Sequence, residues 1–341
     1  MKRTYLVLGN GGFGTALAVH LDALGHAVRL WGHNEAYTGE MATTRRNPRY
    51  LPNIDLSPGI EIGSDCESLV AGAERVLAVV PTQHVRGVMQ RIGPHLSGIP
   101  VVSCSKGMEE STARLPSEVL AECIEDPVLF VLTGPCHAEE LAALKPATLV
   151  LAGPGGDELA EIQEELSGPT LRLYRSQDRL GAELGGALKN VIAIAAGISD
   201  GLELGDNAKS ALLTRGIAEM SRFGVALGAD RETFFGLAGI GDLITTSVSP
   251  HGRNRRLGEL LGRGQTLASI LAGTQQVSEG VWTCRAVLRQ AAELGVPMPI
   301  SEEVAAVLFD GKDPRQAVED LMTRLLREES EASPRSDVPP E

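Results

Sequence analysis

One lysine stands apart chemically. Lys189 lies in Leu184-Gly-Gly-Ala-Leu-Lys-Asn-Val-Ile-Ala-Ile194, a helical stretch with no other charge. Its neighbours three and four residues away are Gly185, Gly186, Ile192 and Ala193, so its helix face is small and apolar. A lysine there either extends its stem to carry the ammonium to water or is retained for chemistry. In the second case partial desolvation lowers its pKa and suits it to proton transfer. Asp242 is a lone acid among apolar residues in Leu237-Ala-Gly-Ile-Gly-Asp-Leu243. Then comes the densest basic cluster of the chain, His251-Gly-Arg-Asn-Arg-Arg256. Gly252 opening a helical pattern, followed by Arg253 and Asn254, is suited to clamping a phosphate through helix-terminal amides and a guanidinium fork. Arg255 and Arg256 read as a basic surface. Lys106, in Ser105-Lys106-Gly107, is either a cation offered to substrate or an ordinary solvated lysine. Cys136 reads as a small buried hydrophobe rather than a nucleophile. The seven histidines show no HExxH-like spacing, so no metal site is expected.

These groups need a scaffold, and the first element supplies a cue to it. Gly9-Asn-Gly-Gly-Phe-Gly14 fits G-x-G-x-x-G, with a strand ending at Leu8 and a helical pattern, Thr15–His20, starting at once. In a dinucleotide site Gly9 makes the tight turn, Gly11 lets the backbone approach a pyrophosphate, and Gly14 lets helix and strand pack closely. The second strand ends at Trp31, followed by Gly32, His33, Asn34 and Glu35, with Arg45, Arg46 and Arg49 downstream. An acid at that tip bonds a ribose 2′-hydroxyl and repels a 2′-phosphate. With Gly32 and His33 there instead, the tip is not built to reject NADP, and NADP or NAD is expected.

Up to about residue 175, short aliphatic runs alternate with helical patterns: 5–8, 27–31, 76–80, 101–104, 128–132, 148–151 and 171–174. Continuous runs of this kind suit strands buried on both faces of a parallel sheet. Asp65 and Asp157 are helix-start signals between them. The fold class is α/β, a doubly wound Rossmann-type parallel sheet followed by an all-α C-terminal domain. The expected division is a dinucleotide-binding domain over 1–180, a helical substrate-binding domain over 181–327, and a disordered polar tail over 328–341. Ligands then bind beyond the carboxyl ends of the strands, where residues 81–83, 105–107 and 133–138 fall.

The bulk properties fit. The 341 residues are 43% hydrophobic and 22% charged, a globular composition, and the formal charge of −13 argues against a nucleic-acid or anionic-membrane binder. Five cysteines, an odd number without a CxxC pair, suit a reduced cytoplasmic protein. No signal peptide is expected, nor a run apolar over the roughly 18 residues that cross a bilayer.

Taken together, Gly9–Ala16, Trp31-Gly-His33, Ser105-Lys106-Gly107, Gly134-Pro135, Leu184–Ile194, Gly239–Leu243 and Gly252-Arg-Asn-Arg-Arg256 resemble the NAD(P)-dependent glycerol-3-phosphate dehydrogenases of the soluble bacterial type. The resemblance runs from about residue 4 to 325. It implies interconversion of dihydroxyacetone phosphate and sn-glycerol 3-phosphate, supplying the glycerol backbone of phospholipids. It implies Lys189 as proton donor and acceptor, with substrate contacts at Lys106, Gly134, Cys136, Asp242, Gly252, Arg253 and Asn254. Implied cofactor contacts are Gly12, Phe13, His33, Lys106, Ala138, Arg253, Val277 and Glu279. The partner is a phosphorylated small molecule, without nucleic acid or stable membrane insertion, and a homodimer stays open. Three positions depart from the family pattern, Cys136, Gly252 and Gly12, where hydroxyl residues are commoner, and none of them removes a charged group. Related two-domain dehydrogenases acting on β-hydroxyacids share the glycine motif and an interdomain lysine but bind carboxylates. Gly252-Arg253-Asn254 favours phosphate. A catalytically silent dinucleotide sensor is the other alternative, opposed by the presence of both Lys106 and Lys189.

Overall fold

A computed structural model describes residues 2–250, 252–273, 278–326 and 328–329. The expected tail from residue 330 and Val277 lie outside these. The first half alternates strand and helix: β1 (Thr4–Leu8), α1 (Gly12–Ala23), β2 (Ala27–Trp31), α2 (Glu35–Thr44), a hairpin of β3 (Arg46–Asn47) and β4 (Leu51–Asp55), β5 (Ile60–Gly63), α3 (Cys66–Val70), β6 (Arg75–Ala78), α4 (Thr82–Ile92), β7 (Pro100–Ser103), α5 (Pro116–Cys123), β8 (Val128–Thr133), α6 (Ala138–Ala142), β9 (Ala147–Ala152), α7 (Asp157–Leu166) and β10 (Leu171–Ser176). Eight strands form one sheet in the order β10-β9-β8-β7-β6-β1-β2-β5.

The continuous aliphatic runs make this sheet double-faced. In β1, Tyr5 and Val7 pack under α1 with Leu17 and Leu21, while Leu6 and Leu8 pack on the opposite face with Val85 and Met89 of α4. Successive residues of a strand point to opposite sides, so an unbroken run needs helices on both. The sheet is doubly wound, as expected, with one departure: β8 and β9 pair antiparallel, whereas the other neighbours run parallel. An aliphatic run buried on both faces reads the same in either direction. β5 and the hairpin were not expected either. They are short and lie at or beyond the sheet edge, where β4 is largely exposed. Asp65 caps α3 by accepting from the Ser68 amide, but α7 is preceded by Gly156 and Asp157 is its first residue, not its cap.

From residue 179 onward every described element is helical: α8 (Arg179–Gly201), α9 (Gly205–Ala226), a π-helical turn (Leu237–Gly241), α10 (Asp242–Val248), α11 (Arg253–Gly262), α12 (Leu267–Ala272), α13 (Glu279–Leu294), α14 (Pro299–Phe309) and α15 (Pro314–Met322). Helix α8 forms the axis, buried from Gly181 to Ser199. Contrary to the sequence expectation, it is long and apolar enough by composition to cross a membrane, yet its apolar stretch is wholly buried between the other helices and the sheet. An apolar helix that is apolar all round is the mark of a core helix as much as of a span.

Helix α11 lies unusually close to this axis. A Cβ at Gly197 would overlap the Arg255 carbonyl oxygen, and one at Gly258 would overlap that of Ile194. The crossing carries the start of α11 towards the middle of α8. Valine at Gly258 should force the helices apart and destabilise the chain by about 1–3 kcal/mol, read as a lower urea midpoint. An unchanged midpoint would mean the crossing tolerates separation.

Candidate functional site

The carboxyl ends of β7 and β8 face the middle of α8, and the candidate chemistry collects between them. Lys106 follows β7, and its ammonium donates to the Gly134 carbonyl at 2.9 Å and to Asp242 Oδ2 at 2.7 Å. Gly134, at φ +125°, sits in the left-handed region and turns its carbonyl into this cleft. The other oxygen of Asp242, Oδ1, accepts from Lys189 Nζ, which also donates to Thr246 Oγ1 at 2.6 Å. Lys189 and Asp242 are both buried. One carboxylate thus bridges two ammonium groups, one from each half of the molecule.

Local sequence explains this convergence. Gly185, one helical turn before Lys189, has no side chain, so the Ala238 carbonyl comes to within 2.5 Å of where a Cβ would stand. That seats the π turn on α8 and delivers Asp242 at the start of α10. Asp242 and Thr246 are four residues apart and share one face of α10. Asn190 supports the opposite bank by donating from Nδ2 to the Lys106 carbonyl at 3.1 Å.

Burial sets the electrostatics. Desolvation lowers the Lys189 pKa to about 7, with Lys106 adding to the fall and Asp242 opposing it. Burial alone would raise Asp242, but the two ammonium groups hold it below the ordinary carboxylate range. With Lys189 in its ammonium form the three groups together carry one net positive charge, suited to an anionic ligand. Burial pushes the Cys136 thiol up to about 11, so it is protonated at neutral pH and is not a thiolate nucleophile.

At the glycine loop, Gly9 has φ +120°, and a Cβ there would stand 2.5 Å from the Val79 carbonyl oxygen. A Cβ on Gly14 would overlap the Gly9 carbonyl, whereas one on Gly11 would meet nothing within 4 Å. Two glycines are therefore required by the protein's own packing, and Gly11 keeps open a cradle at the start of α1, a helix with no side-chain cap. These features fit a pyrophosphate. Phe13 lies in the first turn of α1, and Ala138 at the start of α6 is beside Gly12. The carbonyl of Asn10 accepts from Asn47 Nδ2 at 2.9 Å, which fixes the loop. His33 is exposed beyond β2, three strands along the sheet from β7, after which Lys106 follows.

Glu279, at the start of α13, accepts from the Thr82 amide at 2.9 Å and so caps α4 from the other half of the molecule. Burial raises its carboxyl, with Thr82 and the charge of Arg253 pulling it back. Gly252 is the N-cap of α11, and a Cβ there would overlap the Thr246 carbonyl oxygen, so this chain has no room for the commoner serine. Arg253 is exposed, while Asn254 is buried and accepts from the Gly280 amide at 3.1 Å. Arg255 is not the plain surface residue expected. It pairs with Asp200 at 2.8 Å and with Glu259. Among the described residues no group of three or more His, Cys, Asp or Glu is placed to hold a metal.

Sequence reasoning missed Thr246, Asn190 and Asn47, and placed Thr82 only as part of the strand-tip segment 81–83. Spacing pointed to two of them, since Thr246 is one turn from Asp242 and Asn190 adjoins Lys189. The contact of Thr82 with Glu279 and the role of Asn47 act through the fold and carry no local signal.

Two family models match the chain, "NAD-dependent glycerol-3-phosphate dehydrogenase N-terminus" over residues 5–157 and the corresponding C-terminus over residues 178–319. A glycerol-3-phosphate dehydrogenase (NAD(P)+) of Salinibacter ruber is 46% identical over 334 residues, covering 96% of this chain and 97% of that one. One from Geobacillus thermodenitrificans is 46% identical over 330 residues, 95% of each. The crystal structure of glycerol-3-phosphate dehydrogenase from Coxiella burnetii superposes with a TM-score of 0.91 at 36% identity, covering 95% of this chain and 99% of that one.

Proposed function

The chain belongs to the NAD-dependent glycerol-3-phosphate dehydrogenase family and is an NAD(P)-dependent oxidoreductase, and from that premise we propose that it interconverts dihydroxyacetone phosphate and sn-glycerol 3-phosphate. The observation that carries this reading is the single carboxylate of Asp242 shared by Lys189 and Lys106. When bound at the Gly9–Gly14 loop, the nicotinamide dinucleotide supplies or accepts the hydride. Lys189 as ammonium polarises the C2 carbonyl and gives the nascent alkoxide its proton. In the reverse direction neutral Lys189 takes that proton back. Asp242 orients Lys189, and Lys106 adds a second positive charge beside the reacting oxygen. Arg253, Asn254 and the uncapped start of α11 hold the phosphate, so binding remote from the reacting carbon positions the carbonyl. Gly134 and Cys136 line the bank opposite Lys189.

The reading extends to 1–180 as the cofactor domain and 181–327 as the substrate domain, and to glycerol 3-phosphate made for phospholipid synthesis. It further takes the enzyme as cytoplasmic and leaves a homodimer open; the five free thiols suit a reducing compartment.

The test is NADPH oxidation with dihydroxyacetone phosphate beside unphosphorylated dihydroxyacetone and a panel of β-keto acids. Turnover confined to the phosphorylated ketone is expected, and preference for the acids would favour the β-hydroxyacid dehydrogenases. Arg253→Ala should raise KM for the phosphorylated ketone by about 10–100-fold, the size of a lost charge-assisted hydrogen bond. An unaltered KM would remove Arg253 from the clamp.

A further inference from the structure

Three arginines follow α2, and each is held differently. Arg45 ends the helix at φ 54° and donates to the carbonyls of Leu56, Ser57 and Ile60, so its guanidinium is consumed by the backbone. Arg46 pairs with Asp55 at 2.7 Å on the exposed hairpin. Arg49 is exposed, and its guanidinium lies over the ring of Tyr37, 4.3 Å from the centroid. Among the described residues no carboxylate forms an ion pair with it.

Tyr37 is not a casual support. It is buried in the first turn of α2, where its amide donates to the Asn34 cap at 2.9 Å. Its hydroxyl donates to Asn47 Oδ1 and accepts from the Arg49 amide at 3.2 Å. Asn47 in turn donates to the Asn10 carbonyl at 2.9 Å and to the Thr15 hydroxyl at 2.8 Å. A continuous set of contacts therefore runs from the glycine loop through Asn47 and Tyr37 to Arg49. It fixes a cation over the ring of Tyr37, a residue of the first turn of α2, the helix that follows β2. In sheets of this kind the adenosine ribose reaches the tip of β2, and its 2′ substituent is read there by an acid or by an arginine. Glu35, four residues past the end of β2 and exposed in the first turn of the same helix, is the nearest acid along the chain after that tip.

Resting on the dinucleotide reading above, we propose that Arg49 is the specificity-determining residue that binds the 2′-phosphate of NADP, while Glu35 accepts from the 2′-hydroxyl of NAD. The tip then carries both readings at once, and the balance between Arg49 and Glu35 sets the cofactor ratio. Arg45 and Arg46, engaged elsewhere, contribute little.

The experiment measures equilibrium binding of NADPH, NADH, 2′,5′-ADP and 5′-AMP to the full chain by calorimetry. Arg49→Ala should weaken NADPH and 2′,5′-ADP by about tenfold or more, the effect of one lost charge-assisted hydrogen bond, and leave NADH and 5′-AMP within about twofold. Arg49→Lys, which keeps the charge without the fork, should fall between wild type and Arg49→Ala. Glu35→Gln should act in the opposite sense, weakening NADH and not NADPH. Equal losses for all four probes in Arg49→Ala, or no loss for any, overturn the assignment. A wild-type chain that binds none of the four refutes the dinucleotide reading itself, and the proposal with it.

Discussion

Replacing Lys189 with alanine should lower kcat for ketone reduction by about 10²–10⁴-fold, the usual contribution of a positioned general acid. The dissociation constants of NADPH and NADH should be unchanged, because the glycine loop follows β1, three strands along the sheet from β8, on which α8 packs. The fold should survive the change. Asp242 keeps Lys106 at 2.7 Å, so its carboxylate is not left buried without a cation, the situation that makes a broken ion pair severe. The sharper variant is Lys189→Arg. Arginine retains a positive charge but does not release its proton near neutral pH, so it can polarise the carbonyl without completing proton transfer. Its turnover should lie closer to that of the alanine variant than to wild type. Measured by single-turnover NADPH oxidation, near-normal rates in either variant would remove Lys189 from the role.

Much of this was legible because the sequence pattern and the packing requirement coincide. Tyr5–Leu8 must have helices on both faces whatever follows it, so the class of sheet is fixed by an apolar run of four residues. Gly9 and Gly14 are required by their own neighbours, Val79 and Gly9, within a few residues of chain or one adjacent strand. Lys189 drew attention because its helix neighbours offer it no solvent. What stayed hidden is of another kind. The direction of β9 depends on how the chain returns after β8, and the aliphatic residues of β9 are equally content either way. The pairing of Thr82 with Glu279 joins positions 197 residues apart, and no local spacing encodes it. The double use of Asp242 is intermediate. A lone acid among apolar residues was visible, but its two partners come from α8 and from the loop after β7, and only the π turn seated on Gly185 brings them to one carboxylate. The same limit applies to Arg255, whose partner Asp200 sits on a different helix.

The Asp242 bridge also makes the pH dependence of the reaction a measurable property of the fold. In the free enzyme Lys189 loses its proton at about pH 7, because burial and Lys106 together outweigh the attraction of Asp242. Ketone reduction needs the ammonium form, so its kcat/KM should be level below that value and fall about tenfold per pH unit above it. Alcohol oxidation needs the neutral amine and should show the opposite limb, rising with pH through the same value. Asp242→Asn removes the charge that holds the proton on Lys189 and leaves both factors that expel it. The Lys189 pKa must then drop, and the alkaline limb of reduction should move to lower pH, with kcat/KM at pH 7 reduced by about tenfold or more and partly recovered on acidification. The substrate phosphate also titrates, at about pH 6 for a phosphate monoester, but its limb belongs to the substrate and stays in place between the two enzymes. Comparing the profiles on one substrate separates the two. A limb that stays where it is in Asp242→Asn, or moves upward, would show that the carboxylate does not govern the Lys189 proton.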